Sequence, residues 1–454
     1  MTPRALPDSL WAATGVTAPD TIPLKTDIDC DVAIIGAGFT GLRAGLVLAE
    51  AGVSVVLLDA GDIGWGASGR NGGQVNPIGH ETPDTIAAQW QAFGRPDLAA
   101  RFTAMTIGSA DEVFSLVSTY GIDCDAEQNG WIRGLHGPAA GKTFDAMFDG
   151  WNRAGAALQM LDGEELSHLS GSRLYERAWF APDGGSVQPL SYARGLARAA
   201  LDAGAIIHTH SEVESLQAQS DQWLLRSATG SVVANKVIVG TNGYSGKLIP
   251  GLRESIVPVV SLQSATRRLT DEEARVILPS RCTMADSRRV IYYFRKTGDG
   301  RLVFGSAGTK GDSPGRDEHQ RLLRGLRAVY PQFPDLTLDY VWGGHIAVTQ
   351  DHLPHIHEPM PGVIAGLGFN GRGVANATVM GRLLAERTMG KEDADLPIPV
   401  TRIKAYPFHR FHRVAIKLAV AYQERKDRQE SRSADLRRPD ELNRLSRNKN
   451  DQYH

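Results

Sequence analysis

A Gly36-x-Gly38-x-x-Gly41 run, placed between an apolar strand and a helix, constrains this chain more than any other feature. Asp31 to Gly36 reads as a short apolar strand and Thr40 to Ala51 as a helix. Val53 to Leu58 reads as a second strand, nearly all apolar as a buried parallel strand should be. Asp59 ends that strand, 18 positions beyond Gly41. Together these predict a βαβ dinucleotide-binding unit. Gly36 permits the tight turn, Gly38 lets backbone approach a pyrophosphate, and Gly41 lets the helix pack closely on the sheet. The free amides and positive dipole end of the helix then face phosphate. Asp59 would accept hydrogen bonds from ribose hydroxyls and would repel a 2′-phosphate.

A chain of 454 residues is long enough for two or three domains. The predicted class is α/β: a Rossmann-like dinucleotide-binding domain, plus a substrate domain with a mainly antiparallel β-sheet. A formal net charge of -2 gives no case for nucleic acid, so a small molecule is the expected partner. Cys30, Cys124 and Cys282 form no CxxC or metal spacing, which points to a reducing compartment. The first thirty residues lack the apolar core of a signal peptide, and no apolar run approaches the roughly 18 residues of a membrane span. A cytoplasmic protein without a membrane partner is expected. Composition says nothing of oligomeric state.

Along the chain, residues 1–30 read as an irregular arm. The dinucleotide-binding domain is expected from 31–90, 160–255 and 340–395, and the substrate domain from 91–159 and 256–339. Residues 85–160 look mostly helical, 189–204 form a strong helix, and strands follow at 206–213, 222–227 and 232–239. Residues 396–422 read as a C-terminal helical segment, with 408–423 packed on the body rather than lying on a membrane. The charged 423–454 stretch reads as a disordered tail.

A second run, Gly366-x-Gly368-x-x-Gly371, follows a strand and opens a helix over Val374 to Thr388, but no second strand with a terminal acid appears. This is half a fingerprint, so an NADH site is disfavoured. The helix start is read instead as aimed at an anionic part of the first ligand, where reduced flavin gathers charge.

The stretch "DVAIIGAGFTGLRAGLVLAEAGVSVVLLDAGDIGWGASGRNGGQ" resembles the D-amino acid oxidase (DAO) superfamily of FAD-dependent amine oxidoreductases. "GWGASGRNGGQ" is most like its gamma-glutamylputrescine oxidase branch. The resemblance runs over roughly 8–422 by motif order, with "VIVGTNGYS", "VWGGHIAVTQDHLPHI" and "GLGFNGRGVA" as later segments. It implies a Rossmann-like FAD-binding domain of the glutathione-reductase type, in which Gly36, Gly38, Phe39, Thr40, Gly41, Asp59 and Ala60 hold the ADP half of FAD. Ser68, Arg70, Asn71, Gly72, Gly73 and Gln74 would lie along the pyrophosphate and flavin. Val213 would meet adenine, Thr241 and Asn242 would sit near the phosphates, and Gly371, Arg372, Gly373 and Val374 would cap the pyrimidine edge. Gly344 and His345 stand where some relatives carry a tethering Cys, so non-covalent FAD is expected. Val303 stands where sarcosine oxidases carry an oxygen-activating Lys, which leaves O2 or another electron acceptor open.

The implied reaction passes a hydride from the carbon next to nitrogen to flavin N5, giving an imine that hydrolyses to an aldehyde or keto product. The substrate would be a small amine or amino acid, with a gamma-glutamylated polyamine within the class. Alternatives are an NADH-linked flavin reductase and an FAD-binding protein without amine oxidase activity. Tyr292, Tyr293 and Arg295, with His345 and Trp342, are the pocket candidates; Tyr292 and Tyr293 cannot both face the flavin. His352, His355 and His357 form an HxxHxH cluster interrupted by Pro354, without an acid at helical spacing, so no metal is expected.

Overall fold

The computed structural model describes residues 4–308 and 314–430. Two large sheets organise it. The first has nine strands, with Val363–Leu367, Ser231–Val239, Ile28–Ile35, Val55–Leu58 and Ile206–His208 side by side. These neighbours are parallel: Ala33 lies opposite both Val237 and Val56. Val55–Leu58 is buried at every position, and the Phe39–Glu50 helix covers the sheet between Pro189–Asp202 and Gly373–Thr388. The βαβ unit therefore forms as predicted: its first strand starts three residues earlier than expected, and every other boundary falls within two residues.

The second sheet has eight strands in the order Leu338–Val348, Val257–Arg268, Arg301–Gly308, Tyr293–Lys296, Thr283–Asp286, Trp131–Gly134, Ala178–Ala181 and Gln159–Leu161. It is antiparallel except where Trp131–Gly134 runs parallel to Thr283–Asp286. A two-stranded ribbon, Gln74–Val75 with Gly185–Ser186, lies apart from both. The chain is thus α/β, a Rossmann-like domain joined to a mainly antiparallel one.

Several segments differ from the sequence expectation. Strands at Gln159–Leu161, Ala178–Ala181 and Leu338–Val348 belong to the eight-stranded sheet, whereas the sequence expectation places 160–255 and 340–395 in the FAD-binding domain. The N-terminal arm is not wholly irregular: Leu10–Thr14 is a helix capped by the Ser9 hydroxyl on Ala12 N, and Leu10 and Trp11 are buried. Trp11 Nε1 donates to Asn71 O at 2.7 Å. Of the 423–454 tail, residues 423–430 continue a helix that begins at 412; the rest lies outside the described residues. Asp427 in that helix is buried and accepts from Arg289 Nη1 and Val290 N, both at 3.0 Å. A paired acid holds the helix where composition alone suggested disorder. No helix among the described residues is long and apolar enough to cross a membrane.

Candidate functional site

One cavity of about 760 Å3 runs between the two sheets, within the roughly 300–1,000 Å3 usual for cofactor and ligand sites. Its first wall is the βαβ turn. Gly36 has φ +109°, a conformation that disfavours a side chain. A Cβ on Gly41 would stand 1.9 Å from the Gly36 carbonyl oxygen, so only glycine lets the helix approach. Asp59 accepts from Ala37 N at 2.6 Å and from Gly61 N at 2.8 Å. Burial pushes its pKa up to about 6 against the pull of those amides and of Arg4. Phe39 N donates to Ser68 Oγ at 2.9 Å, tying the Gly-rich loop to the helix tip.

The other end is built by the second Gly run. Gly371, at φ +83°, turns the chain into the Gly373–Thr388 helix, whose first turn has no side-chain cap. Its amides are therefore available to an acceptor. Asn242 Oδ1 accepts from Gly368 N at 2.9 Å and fixes the approach to that turn. Both GxGxxG runs open on the same cavity, as one ligand with two anionic regions requires.

Of the predicted cofactor residues, Gly36, Gly38, Phe39, Thr40, Asp59, Ala60, Ser68, Asn71, Gly72, Gln74, Val213, Thr241, Asn242, Gly371, Arg372, Gly373 and Val374 line the cavity. Gly41, Arg70 and Gly73 do not. Gly41 is the packing glycine behind the wall. Arg70 is buried and donates to Trp65 O at 2.8 Å, bracing the loop from inside. Gly73, at φ +73°, turns under the loop, where a Cβ would lie 2.2 Å from Val187 O.

The pocket candidates divide. Tyr293 lines the cavity, held by Ser261 Oγ and Gln263 Nε2, each 2.7 Å from its hydroxyl. Tyr292 faces the other side of the strand, packed on Phe304 and under Arg288, and is excluded. Arg295 is also excluded. It is buried, donates to Gly72 O and Val187 O at 3.0 and 2.8 Å, and lies over Trp11, supporting the loop from below. His345 lines the cavity edge-on to the Tyr244 ring, and its N–H donates to the Tyr244 hydroxyl at 3.1 Å. Trp342 is buried behind Arg70, donating to its carbonyl at 2.9 Å. Val303 is buried with Leu10, Trp11 and Trp342, away from the cavity.

The histidine cluster separates. His355 pairs with Asp351 at 3.0 Å, an i,i+4 acid the sequence reading had not found, and His357 Nδ1 bonds Thr401 O at 2.8 Å. His352 turns instead to Glu81, at 2.9 Å, beside His80. His80, Glu81 and His352 are the set of three potential metal ligands among the described residues. His80 is exposed, and the charges of Arg372 and Arg133 beside it would oppose a cation there.

Sequence reasoning missed Trp131 and Arg133. They stand two apart on Trp131–Gly134, so both project to one face, into the cavity. The Arg372 guanidinium lies 4.7 Å over the Trp131 ring. Burial pulls the Arg372 pKa down to about 9 with help from Arg133, and Arg133 is lowered likewise by burial, against the attraction of Asp286. Among the described residues neither guanidinium has an ion pair or a side-chain hydrogen bond. The cavity thus holds two guanidiniums without an ion pair among the described residues, an arrangement suited to an anionic guest.

The profile of the FAD dependent oxidoreductase (DAO) family matches residues 31–387. The chain belongs to this family. As a DAO-family protein it is 31% identical to the gamma-glutamylputrescine oxidoreductase of Escherichia coli (strain K12) over 387 residues, 85% of this chain and 89% of the relative. It is 32% identical to a probable oxidoreductase OrdL of Rhizobium meliloti (strain 1021), over 88% of this chain and 92% of the relative. The fold is similar to that of glycine oxidase from Geobacillus kaustophilus (TM-score 0.69, 23% identity, 82% and 99% covered). The DAO family is FAD-dependent, and the cavity fits that cofactor: glycines stand where a Cβ would intrude, Asp59 stands at the end of the second strand, and two helix starts offer amides. Asn76 Oδ1 and Gln263 Oε1, both on the wall, are buried without a hydrogen-bond partner. None of the three cysteines lines the cavity.

Proposed function

We propose that this FAD-dependent oxidoreductase oxidises a small amine that also carries a carboxylate, with gamma-glutamylated polyamines in the class. The observation that carries this reading is the pair Arg133 and Arg372, both lining the cavity and neither in an ion pair among the described residues. A substrate carboxylate would accept from the guanidiniums, and planar forks suit that group. Non-covalent FAD would rest on Gly36, Gly38, Asp59, Ser68 and Gly371 to Val374, and when bound supplies the two-electron acceptor.

The chain's own residues set position and charge. Tyr293 and Trp131 shape the substrate end and exclude water. Two guanidiniums against one carboxylate leave a net positive site, which disfavours a substrate ammonium and favours the neutral amine whose lone pair the oxidation needs. The carbon next to nitrogen then loses a hydride equivalent. Water hydrolyses the imine to a carbonyl and an amine.

An anaerobic screen tests this. Gamma-glutamylputrescine is expected to bleach the yellow flavin absorbance at far lower concentration than putrescine. Equal reduction by both would remove the role given to the arginines. Bleaching by NADH alone would favour a flavin reductase instead, and no bleaching by any amine would leave a flavin-binding protein.

A further inference from the structure

The helix at 412–430 is built the wrong way round for a surface helix. Its inner face carries charge: Glu424 meets Arg321 at 2.7 Å, Asp427 meets Arg289 at 3.0 Å, and Glu430 meets Arg289 at 2.8 Å. Its outer face carries Phe411, Val414, Leu418 and Tyr422, spaced three, four and four apart and therefore on one stripe. They are 53%, 60%, 69% and 56% exposed, and Phe408 just before them is 78% exposed. An ordinary amphipathic helix turns such a stripe inward. The rim of the stripe is basic: Arg410, Lys417 and Arg425 are exposed and form no ion pair among the described residues. Lys426 and Arg410 sit over the Tyr422 and Phe411 rings, at 4.6 and 4.7 Å.

We propose that this outward face docks on an anionic lipid surface, the helix lying in the plane of the interface. Apolar side chains would enter the headgroup boundary while the flanking Arg and Lys meet lipid phosphates. Charge decides between this and a second copy of the chain. A two-fold partner would bring the same basic rim against its own image, whereas an anionic leaflet complements it.

Co-sedimentation of the full-chain holoenzyme with vesicles tests it, using phosphatidylcholine alone or mixed three to one with phosphatidylglycerol. Binding is expected only to the mixed vesicles, falling as salt rises. Leu418→Glu should reduce the bound fraction at least tenfold while flavin content, melting temperature and turnover with a soluble dye acceptor stay unchanged, since Leu418 is remote from the cavity. Failure to bind the mixed vesicles overturns the proposal. So does binding that Leu418→Glu leaves intact, which places the contact elsewhere. A dimer dispersed by Leu418→Glu, without vesicle binding, would assign the face to a second copy.

Discussion

Replacing Arg133 with Gln separates binding from folding, because the two should move in opposite directions. In the free protein Arg133 projects into the cavity with no acceptor and its charged form is disfavoured by burial. A buried charged group without a partner costs stability, so Arg133→Gln should leave the melting temperature unchanged or raised. The substrate reverses that balance. A hydrogen bond to a charged group contributes about 1.5–3 kcal/mol, which is roughly a 10- to 150-fold loss in kcat/KM for a carboxylate-bearing amine. Arg133→Lys keeps the charge but loses the fork, and should recover part of the loss. The assay is steady-state kinetics on gamma-glutamylputrescine and putrescine side by side, with melting followed by flavin fluorescence. An equal loss on both substrates, or a lower melting temperature with unchanged selectivity, would show that Arg133 is structural and refute the carboxylate role.

Gly41→Ala should abolish flavin retention, because its Cβ would fall 1.9 Å from the Gly36 carbonyl; the check is the visible spectrum of the purified variant. Burial raises Asp59 to about 6, so its contribution to the stability of the flavin-free protein is fully present below the unfolded value near 3.8 and is lost as pH rises through 6. FAD affinity should change the other way, tightening as Asp59 ionises, and titration from pH 5 to 8 should find that dependence flattened in Asp59→Asn. The Glu81–His352 pair raises His352 and lowers Glu81. It therefore stabilises most between the two unfolded values, roughly pH 4.5 to 6.5, and fades above and below. His352→Gln should flatten thermal stability across that window, and an unchanged profile would dismiss the pair.

The dinucleotide half of this site was legible because its chemistry is local. A strand, a turn, a helix and an acid within thirty residues leave a pattern of glycines and apolar runs that needs no tertiary information. The substrate half was not. Trp131 and Arg133 stand on a four-residue strand in a region that reads as helical, and only pairing with Thr283–Asp286 on one side and Ala178–Ala181 on the other makes it a strand. Tyr293 and Arg295 share a strand face, yet the Gly72 and Val187 carbonyls draw Arg295 under the loop and out of the cavity. The resemblance places Arg70 along the pyrophosphate, but Trp65 and its carbonyl take the guanidinium inward. The C-terminal charges suggest disorder because composition cannot show that Arg289 and Arg321 meet three of them, Glu424, Asp427 and Glu430.

The cavity wall draws on chain positions from Arg4 to Ala377, so segments more than 370 residues apart meet there. Anything that fills the space favours every one of those segments in its folded place and none of them in the unfolded chain. The cellular amount of this protein should therefore follow riboflavin supply: molecules made in a vitamin-starved cell would be open to proteases from both termini inward.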